Sequence, residues 1–178
     1  MGKQRFRKVC LKRLKASPRT LAWAKDKKIA RKIETIIKQV KPQSILFYLP
    51  MDLEVNLRSL MQRYKKNLKV FVPFIEEESF KMVEYRLPLE KNSFGILEPK
   101  AHNLAQKNVD LIIVPVVGVD RNMQRVGFGK GMYDRFYAKL TRKPIVIFVQ
   151  REACLSPKKL CDSYDIQCDY YVTSKEII

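Results

Sequence analysis

Short, almost continuous apolar runs recur along the sequence, with helix-like segments between them. The apolar runs occupy residues 44–49, 68–72, 110–117 and 144–149. Runs of this length are typical of strands that are buried on both faces, as in a parallel sheet covered by helices. Helical patterns occupy residues 3–15, 18–40, 56–64 and 132–140. The alternation predicts that residues 1–178 form a single α/β domain, a three-layer α/β/α sandwich with a mainly parallel central sheet.

Local signals add detail to this pattern. Ser17, which a proline follows, is expected to cap the second helix, and Pro73 is expected to end the second strand. Residues 80–85 alternate between apolar and polar and predict an edge strand. Residues 102–107 fit a short helix, and the single histidine within them, His102, is assigned to the surface.

The composition excludes several classes of protein. The chain has 178 residues, 46% of them hydrophobic, which is enough for a sizeable core and argues against disorder. No apolar run approaches the length of a membrane span, and no apolar segment follows the basic start, so neither a membrane protein nor a signal peptide is expected. The formal net charge of +18 favours anionic partners. Because the basic residues are spread over the whole chain, nucleic acid is kept only as an alternative partner.

The four cysteines show no close pairing. They are Cys10, Cys154, Cys161 and Cys168. Structural zinc sites use tighter pairs, such as CxxC. We therefore expect buried, reduced thiols in a cytoplasmic protein.

One glycine-rich stretch carries the chemistry. Three of the six glycines fall within five residues, at Gly127, Gly129 and Gly131. Glycine lets successive backbone N–H groups turn inward and form a cavity for an anion such as phosphate. Lys130 and Arg125 add positive charge beside it. The stretch lacks the Ser or Thr of a Walker A loop and the third glycine of a dinucleotide fingerprint. Taken alone, it could also be a turn that only lets a helix approach the sheet.

The longer pattern is more specific. From Arg125 to Asp134 the sequence reads Arg-Val-Gly-Phe-Gly-Lys-Gly-Met-Tyr-Asp. This closely resembles the signature of the 5-formyltetrahydrofolate cyclo-ligase family. Four further segments are similar to family segments in the same order, at residues 3–7, 49–55, 95–99 and 165–169. The sequence departs from the family pattern at four places. Met132 replaces a common tyrosine, and Phe128 stands where tyrosine or arginine is frequent. Phe74 replaces a usual basic residue, and Asn56-Leu57 replaces an acid followed by threonine.

The resemblance implies an enzyme with ATP and Mg²⁺ as cofactors. It would convert 5-formyltetrahydrofolate, with one or more glutamates, to 5,10-methenyltetrahydrofolate, ADP and phosphate. Transfer of the γ-phosphoryl group to the formyl oxygen makes that oxygen a good leaving group, and N10 then closes the ring. Such a transfer depends on positioning and charge neutralisation, which suits a sequence without a nucleophilic triad.

The resemblance also implies roles for individual residues. Arg125 and Lys130 would be catalytic, by neutralising the transferred group. The nucleotide would be bound by Lys3, Arg7, Arg125, Gly127, Phe128, Gly129, Lys130, Gly131, Met132 and Tyr133. The folate would be bound by Leu49, Met51, Glu54, Phe128 and Tyr133, with Glu54 accepting hydrogen bonds from the pterin. Mg²⁺ would be bound by Asp134 and Asp169.

Alternative functions remain at this point. The main alternative is a basic nucleic-acid-binding or nucleotide-binding module without catalysis. An inactive relative, or another ATP-dependent enzyme on the same scaffold, would also retain the glycine stretch. We expect a monomer.

Overall fold

The computed structural model describes residues 2–92, 95–100 and 108–178. The helices are α1 (Lys3–Ala16), α2 (Ala22–Val40), α3 (Arg58–Tyr64) and α4 (Met132–Ala138). The strands are β1 (Ser44–Leu46), β2 (Lys69–Glu76), β3 (Ser79–Glu84), β4 (Leu89–Lys91), β5 (Leu97–Pro99), β6 (Leu111–Pro115), β7 (Gly118–Val119), β8 (Arg125–Val126), β9 (Ile145–Val149) and β10 (Tyr170–Val172). None of the described helices is long and apolar enough to cross a membrane.

Six of the strands form one central sheet in the order β10-β9-β6-β1-β2-β3. All neighbouring pairs are parallel except β2 and β3, which form an antiparallel hairpin with β3 at the edge. Two small hairpins, β4-β5 and β7-β8, lie outside this sheet. The mainly parallel α/β fold is therefore confirmed.

Helices cover both faces of the sheet. Ile45 and Ile113 pack with α2 and α3 in one core cluster. Their chain neighbours Leu46 and Ile112 pack with Phe136 of α4 in a second cluster on the opposite face. Successive strand residues point to opposite faces, so continuous apolar strands supply both cores at once. The α1 helix packs on a third, smaller cluster beside the β7-β8 hairpin.

Two local expectations were wrong. Ser17 does not cap α2, because its hydroxyl donates to Glu152 Oε1 at 2.7 Å and the helix begins only at Ala22, after a 3-10 turn. Pro73 does not end the second strand but lies within β2. There β1 has already ended opposite Phe71, so β2 has a single strand neighbour and the missing proline N–H is tolerated. The predicted helix at 102–107 lies outside the described residues.

The cysteine expectation was also wrong in part. Cys10 of α1 and Cys154, which follows β9, form a disulfide across 144 residues of sequence. Cys161 and Cys168 are free thiols. Spacing along the chain does not reveal this pair, because the sheet topology brings the two cysteines together.

Candidate active site

Two cavities lie side by side at the carboxyl edge of the sheet, where ligands bind in open parallel sheets. The first has a volume of about 290 Å³ and a mostly apolar lining that includes Glu54. The second has a volume of about 370 Å³ and is lined by charged side chains of α1, α4 and the segment before β10. Arg125 and Gly131 line both cavities. The site therefore consists of an apolar cavity and a polar cavity with Arg125 between them.

The apolar cavity gathers every residue expected to bind the folate. These are Leu49, Met51, Glu54, Phe128 and Tyr133. The first three come from the loop after β1, and Tyr133 comes from the first turn of α4. Burial and the charge of Glu54 raise the pKa of the Tyr133 phenol, so this side chain stays protonated and can donate.

Glu54 is the carboxylate of the apolar cavity. It is 7% exposed, and its Oε2 accepts from the Met51 backbone N–H at 2.9 Å. Burial raises the pKa of Glu54 to about 6, against the opposing effects of the Met51 hydrogen bond and the charges of Arg125 and Arg151. A carboxylate held in apolar surroundings with few donors of its own is suited to accept hydrogen bonds from a bound heterocycle.

Arg125 is buried at the boundary of the two cavities. Its Nη1 lies 3.0 Å from Asp134 Oδ2, and its Nη2 makes a long hydrogen bond of 3.4 Å to the Pro115 carbonyl. The guanidinium lies 5.1 Å from the centroid of the Tyr133 ring. Its Nε is buried and has no hydrogen-bond partner among the described residues. Buried donors are normally paired, so the arginine retains donor capacity toward a ligand.

The glycines of the stretch are required for different reasons. A Cβ at Gly127 would lie 2.5 Å from Nη1 of Arg125, so only glycine leaves room for the guanidinium. Gly129 and Gly131 instead have φ angles of 119° and 62°, which favour glycine whatever the space. Arg7 of α1 donates through Nε to the Gly127 carbonyl at 2.8 Å and ties α1 to the stretch.

The residues expected to bind the nucleotide divide between the cavities. Those that line the polar cavity are Lys3, Arg7, Arg125, Gly127, Gly129 and Gly131. The apolar cavity is lined by Phe128, Lys130, Met132 and Tyr133, and Arg125 and Gly131 line it as well. The two catalytic candidates, Arg125 and Lys130, therefore both reach the cavity that holds Glu54.

Lys3 is held in the polar cavity by acidic residues of the segment before β10. Its Nζ forms an ion pair with Asp165, and Asp162 lies at 3.8 Å. Burial alone lowers the pKa of Lys3, but the hydrogen bond and the charge of Asp165 outweigh it and the pKa is raised. Lys3 is therefore a fixed positive charge at this cavity.

The two aspartates expected to bind Mg²⁺ are not brought together. Asp134 lines the polar cavity, where it accepts from Arg125 and, through Oδ1, from the Ile166 N–H at 3.2 Å. Asp169 lies at the amino edge of the sheet, where its Oδ2 accepts from the Val146 N–H at 2.8 Å. Asp169 directly precedes a parallel strand, and strand starts lie opposite the ligand edge, so Asp169 does not line the polar cavity. Asp165, four residues earlier, lines the polar cavity instead.

Comparison with known proteins decides the family. The sequence profile of the 5-formyltetrahydrofolate cyclo-ligase family matches residues 1–169. The chain belongs to this family. The 5-formyltetrahydrofolate cyclo-ligase of Mycoplasma pneumoniae is 25% identical over 180 residues, covering 98% of this chain and 100% of that one. The Haemophilus influenzae cyclo-ligase is 30% identical over 109 residues, which is 56% of this chain and only 58% of that protein.

Solved structures show the same fold. The Aquifex aeolicus 5,10-methenyltetrahydrofolate synthetase has a TM-score of 0.84 and 26% identity, covering 99% of this chain and 92% of that one. The Mycoplasma pneumoniae synthetase has a TM-score of 0.75 at 23% identity, with coverage of 97% and 98%. Membership in this ligase family therefore agrees with the mainly parallel α/β fold.

Sequence reasoning missed several residues of the site. The walls of the apolar cavity also include Tyr48, Pro73, Ile75, Phe80, Ile96, Leu97 and Pro115. Some could have been found, since Tyr48 and Pro115 lie at carboxyl ends of predicted strands. Ile75 and Phe80 could not, because they reach the cavity from a hairpin at the sheet edge whose position depends on tertiary packing.

Proposed function

We propose that this chain converts 5-formyltetrahydrofolate to 5,10-methenyltetrahydrofolate, with ATP converted to ADP and phosphate. The observation that carries the proposal is the position of Arg125. Its guanidinium borders both the apolar cavity with Glu54 and the polar cavity with Lys3 and Arg7. A transfer between two substrates needs their reacting atoms to meet, and this boundary is where they would meet.

The chemistry has two steps. The formyl oxygen attacks the γ-phosphorus of ATP, and the bond from that phosphorus to the bridging oxygen of ADP breaks. N10 then attacks the activated formyl carbon, the carbon–oxygen bond breaks, and phosphate leaves with its electron pair while N10 loses its proton. No side-chain nucleophile is needed, so the task of the protein is orientation and charge stabilisation.

On the folate side, Glu54 and Tyr133 orient the pterin. The Glu54 carboxylate accepts hydrogen bonds from pterin N–H groups, and the apolar walls exclude water. Orientation of the pterin turns the formyl oxygen toward Arg125, whose Nε has no other partner among the described residues. Arg125 and Lys130 then stabilise the negative charge that develops during transfer.

On the nucleotide side, Lys3, Arg7 and the glycine stretch bind the phosphates. Mg²⁺ that accompanies ATP usually takes one or two carboxylates and completes its shell with phosphate oxygens and water. Asp134 and Asp165 are the carboxylates that line the polar cavity. Both carboxylates are already ion-paired, Asp134 with Arg125 and Asp165 with Lys3, so they suit an ion that arrives with the nucleotide better than one bound permanently by the protein. The ion would neutralise phosphate charge.

One experiment tests the activity. Purified protein is mixed with 5-formyltetrahydrofolate and Mg-ATP, and the near-ultraviolet absorbance of the methenyl product is followed. The absorbance should rise with equimolar release of ADP. Folded protein that gives no product contradicts the proposal.

A variant tests the role of Lys130. Lys130→Ala should lower kcat by about 10²-fold, a typical effect of removing one group that stabilises the transition state, and should leave folate binding measured by titration nearly unchanged. Lys139→Ala removes an exposed lysine just after α4 and is the matched control. Equal loss of binding and turnover in Lys130→Ala would mean that the lysine has a binding role.

We also propose that the protein works as a monomer in the cytoplasm. The cytoplasm would supply the ATP that the reaction consumes. Size-exclusion chromatography with light scattering, at the concentrations of the activity assay, tests the monomer.

A further inference from the structure

We propose that Arg151 and Asp26 are a positioning pair that holds the Glu54 loop, residues 50–56, in the form that binds the folate. The inference rests on the proposed function and adds two residues to it. Neither residue lines the apolar or the polar cavity. Both would act on the substrate through the loop.

The pair is anchored on rigid elements. Asp26 lies on α2, and Arg151 lies just after β9, 125 residues away in sequence. Arg151 Nε donates to Asp26 Oδ1 at 2.7 Å, and its Nη2 donates to Oδ2 at 2.8 Å. The side chains are 14% and 8% exposed. A bidentate arginine–carboxylate pair of this kind fixes geometry as well as charge.

The remaining donor and acceptor capacity of the pair goes to the loop. Arg151 Nη1 donates to the carbonyl of Asp52 at 3.1 Å. Asp26 Oδ2 accepts from the N–H of Asn56 at 3.0 Å. These two bonds grip the backbone on either side of Glu54. The loop is therefore tied to the end of β9 at Asp52 and to α2 at Asn56. Glu54, whose carboxylate is proposed to bind the substrate, lies midway between these two positions.

With the loop backbone held at both positions, the Glu54 side chain has a defined orientation. Its backbone N–H donates to the Met51 carbonyl, and its side chain accepts from the Met51 N–H, both at 2.9 Å. These bonds close a tight turn over residues 51–54, which contains the tied Asp52 and ends two residues before the tied Asn56. Loss of either tie lets the turn rotate, and a carboxylate that rotates binds the pterin less often in the productive orientation.

Arg151 also acts on Glu54 electrostatically. The groups that face Glu54 are Arg125, Arg151, Tyr48 and Tyr133, and the two arginines favour its ionised form. Removal of Arg151 leaves Arg125 as the only cation of this set. The pKa of Glu54 should then rise further, since burial opposes ionisation. The acidic limit of folate binding should move to higher pH.

The test compares Arg151→Met, Arg151→Lys and Asp26→Asn with wild type. Arg151→Met should raise the KM for 5-formyltetrahydrofolate by about ten-fold, the size expected when hydrogen bonds to a charged group are lost. The KM for ATP should stay within about two-fold, because the pair does not reach the polar cavity. Arg151→Lys keeps the positive charge but loses the bidentate hydrogen bonds to Asp26. Its acidic limit of folate binding should therefore match that of wild type, while its KM for 5-formyltetrahydrofolate should lie between those of wild type and Arg151→Met.

The control is Arg63→Met. Arg63 pairs with Glu34 and joins α3 to α2 as Arg151 joins its loop to α2, but its side chain is 61% exposed and it lines neither the apolar nor the polar cavity. It should leave both KM values unchanged. Thermal unfolding of every variant separates misfolding from mispositioning. If Arg151→Met does not fold, Arg151→Lys and Asp26→Asn decide the question.

The outcomes are distinguishable. Equal changes in both KM values, or an unchanged KM for the folate with an unchanged pH limit in folded variants, overturn the positioning role while the activity stands. Wild-type protein that makes no product removes the proposed function and this inference with it.

Discussion

Replacement of Glu54 by glutamine is expected to stabilise the folded protein at neutral pH, even though it removes a proposed substrate contact. Burial raises the pKa of Glu54 from an ordinary 4.5 to about 6. Because the folded pKa lies above the unfolded one, the folded state binds more protons, and stability falls as the pH rises through this window. One pKa unit corresponds to about 1.4 kcal/mol, so ionised Glu54 costs the folded state about 2 kcal/mol at pH 7.5.

Glutamine avoids this cost because it does not ionise. Its amide oxygen can still accept from the Met51 N–H, as Glu54 does. The stability gap between Glu54→Gln and wild type should therefore grow from well under about 1 kcal/mol at pH 4.5 to about 2 kcal/mol at pH 7.5. For a chain of this size, the larger gap corresponds to a rise in Tm of about 4–8 °C.

The assay is urea unfolding of both proteins across that pH range. All other titrating groups are common to both proteins and cancel in the difference. Glu152→Gln is a control for which the change in stability should have the opposite sign. Burial raises the pKa of Glu152, but the hydrogen bonds from Lys25 and Ser17 outweigh it and hold the pKa below its ordinary value. That variant should be destabilised at neutral pH.

Two results would refute the reasoning. A gap that does not change with pH would mean that the charge of Glu54 is not what destabilises the fold. A wild type more stable than Glu54→Gln at pH 7.5 would mean that the carboxylate makes favourable contacts that outweigh its burial. If the reasoning holds, the gain in stability should be accompanied by a higher KM for 5-formyltetrahydrofolate.

Two further predictions concern the polar cavity. Gly127→Ala should lower kcat by about 10–100-fold, because the new Cβ would displace the Arg125 guanidinium and overpacking in a buried site costs about 1–3 kcal/mol. Wild-type turnover in this variant would show that the guanidinium can move without loss of activity. Asp165→Asn should raise the KM for ATP, because it removes the ion pair that holds Lys3 in the polar cavity. Asp169→Asn should leave both KM values unchanged and lower only the Tm. Initial rates and thermal unfolding are measured for all three variants, and a larger effect of Asp169→Asn than of Asp165→Asn on the KM for ATP would restore Asp169 to the nucleotide site.

Much of the fold was predictable because its signals are local. A run such as residues 110–117 is apolar at every step, and only a strand covered on both faces buries all of it. The glycine stretch and the Glu54 loop were placed at one site because both follow such strands, and parallel strands end at the same edge. The structure brings both to the apolar cavity, and the glycine stretch also lines the polar cavity.

Other features were not predictable from local pattern. Asp165 and Asp169 look equivalent in sequence, and only the start of β10 shows that Asp169 faces the wrong edge. Ser17 and Pro73 were assigned from their local preferences, and in both cases a contact decided the outcome, because Ser17 binds the distant Glu152 and Pro73 lies in a strand that pairs with β3. Local preference is worth about 1 kcal/mol at such positions, which tertiary contacts readily exceed.

The sequence by itself determined the layers of this protein, the mainly parallel sheet and the glycine stretch. Those depend on the order of residues within short windows, whereas Glu54 was singled out only through the resemblance to the family. Only the tertiary structure decided that Arg125 lies between two cavities, that Arg151 after β9 and Asp26 on α2 both bind the backbone of the Glu54 loop, and that Cys10 meets Cys154. These pairings join positions up to 144 residues apart. Their geometry follows from the order of strands in the sheet, which no short window of sequence contains.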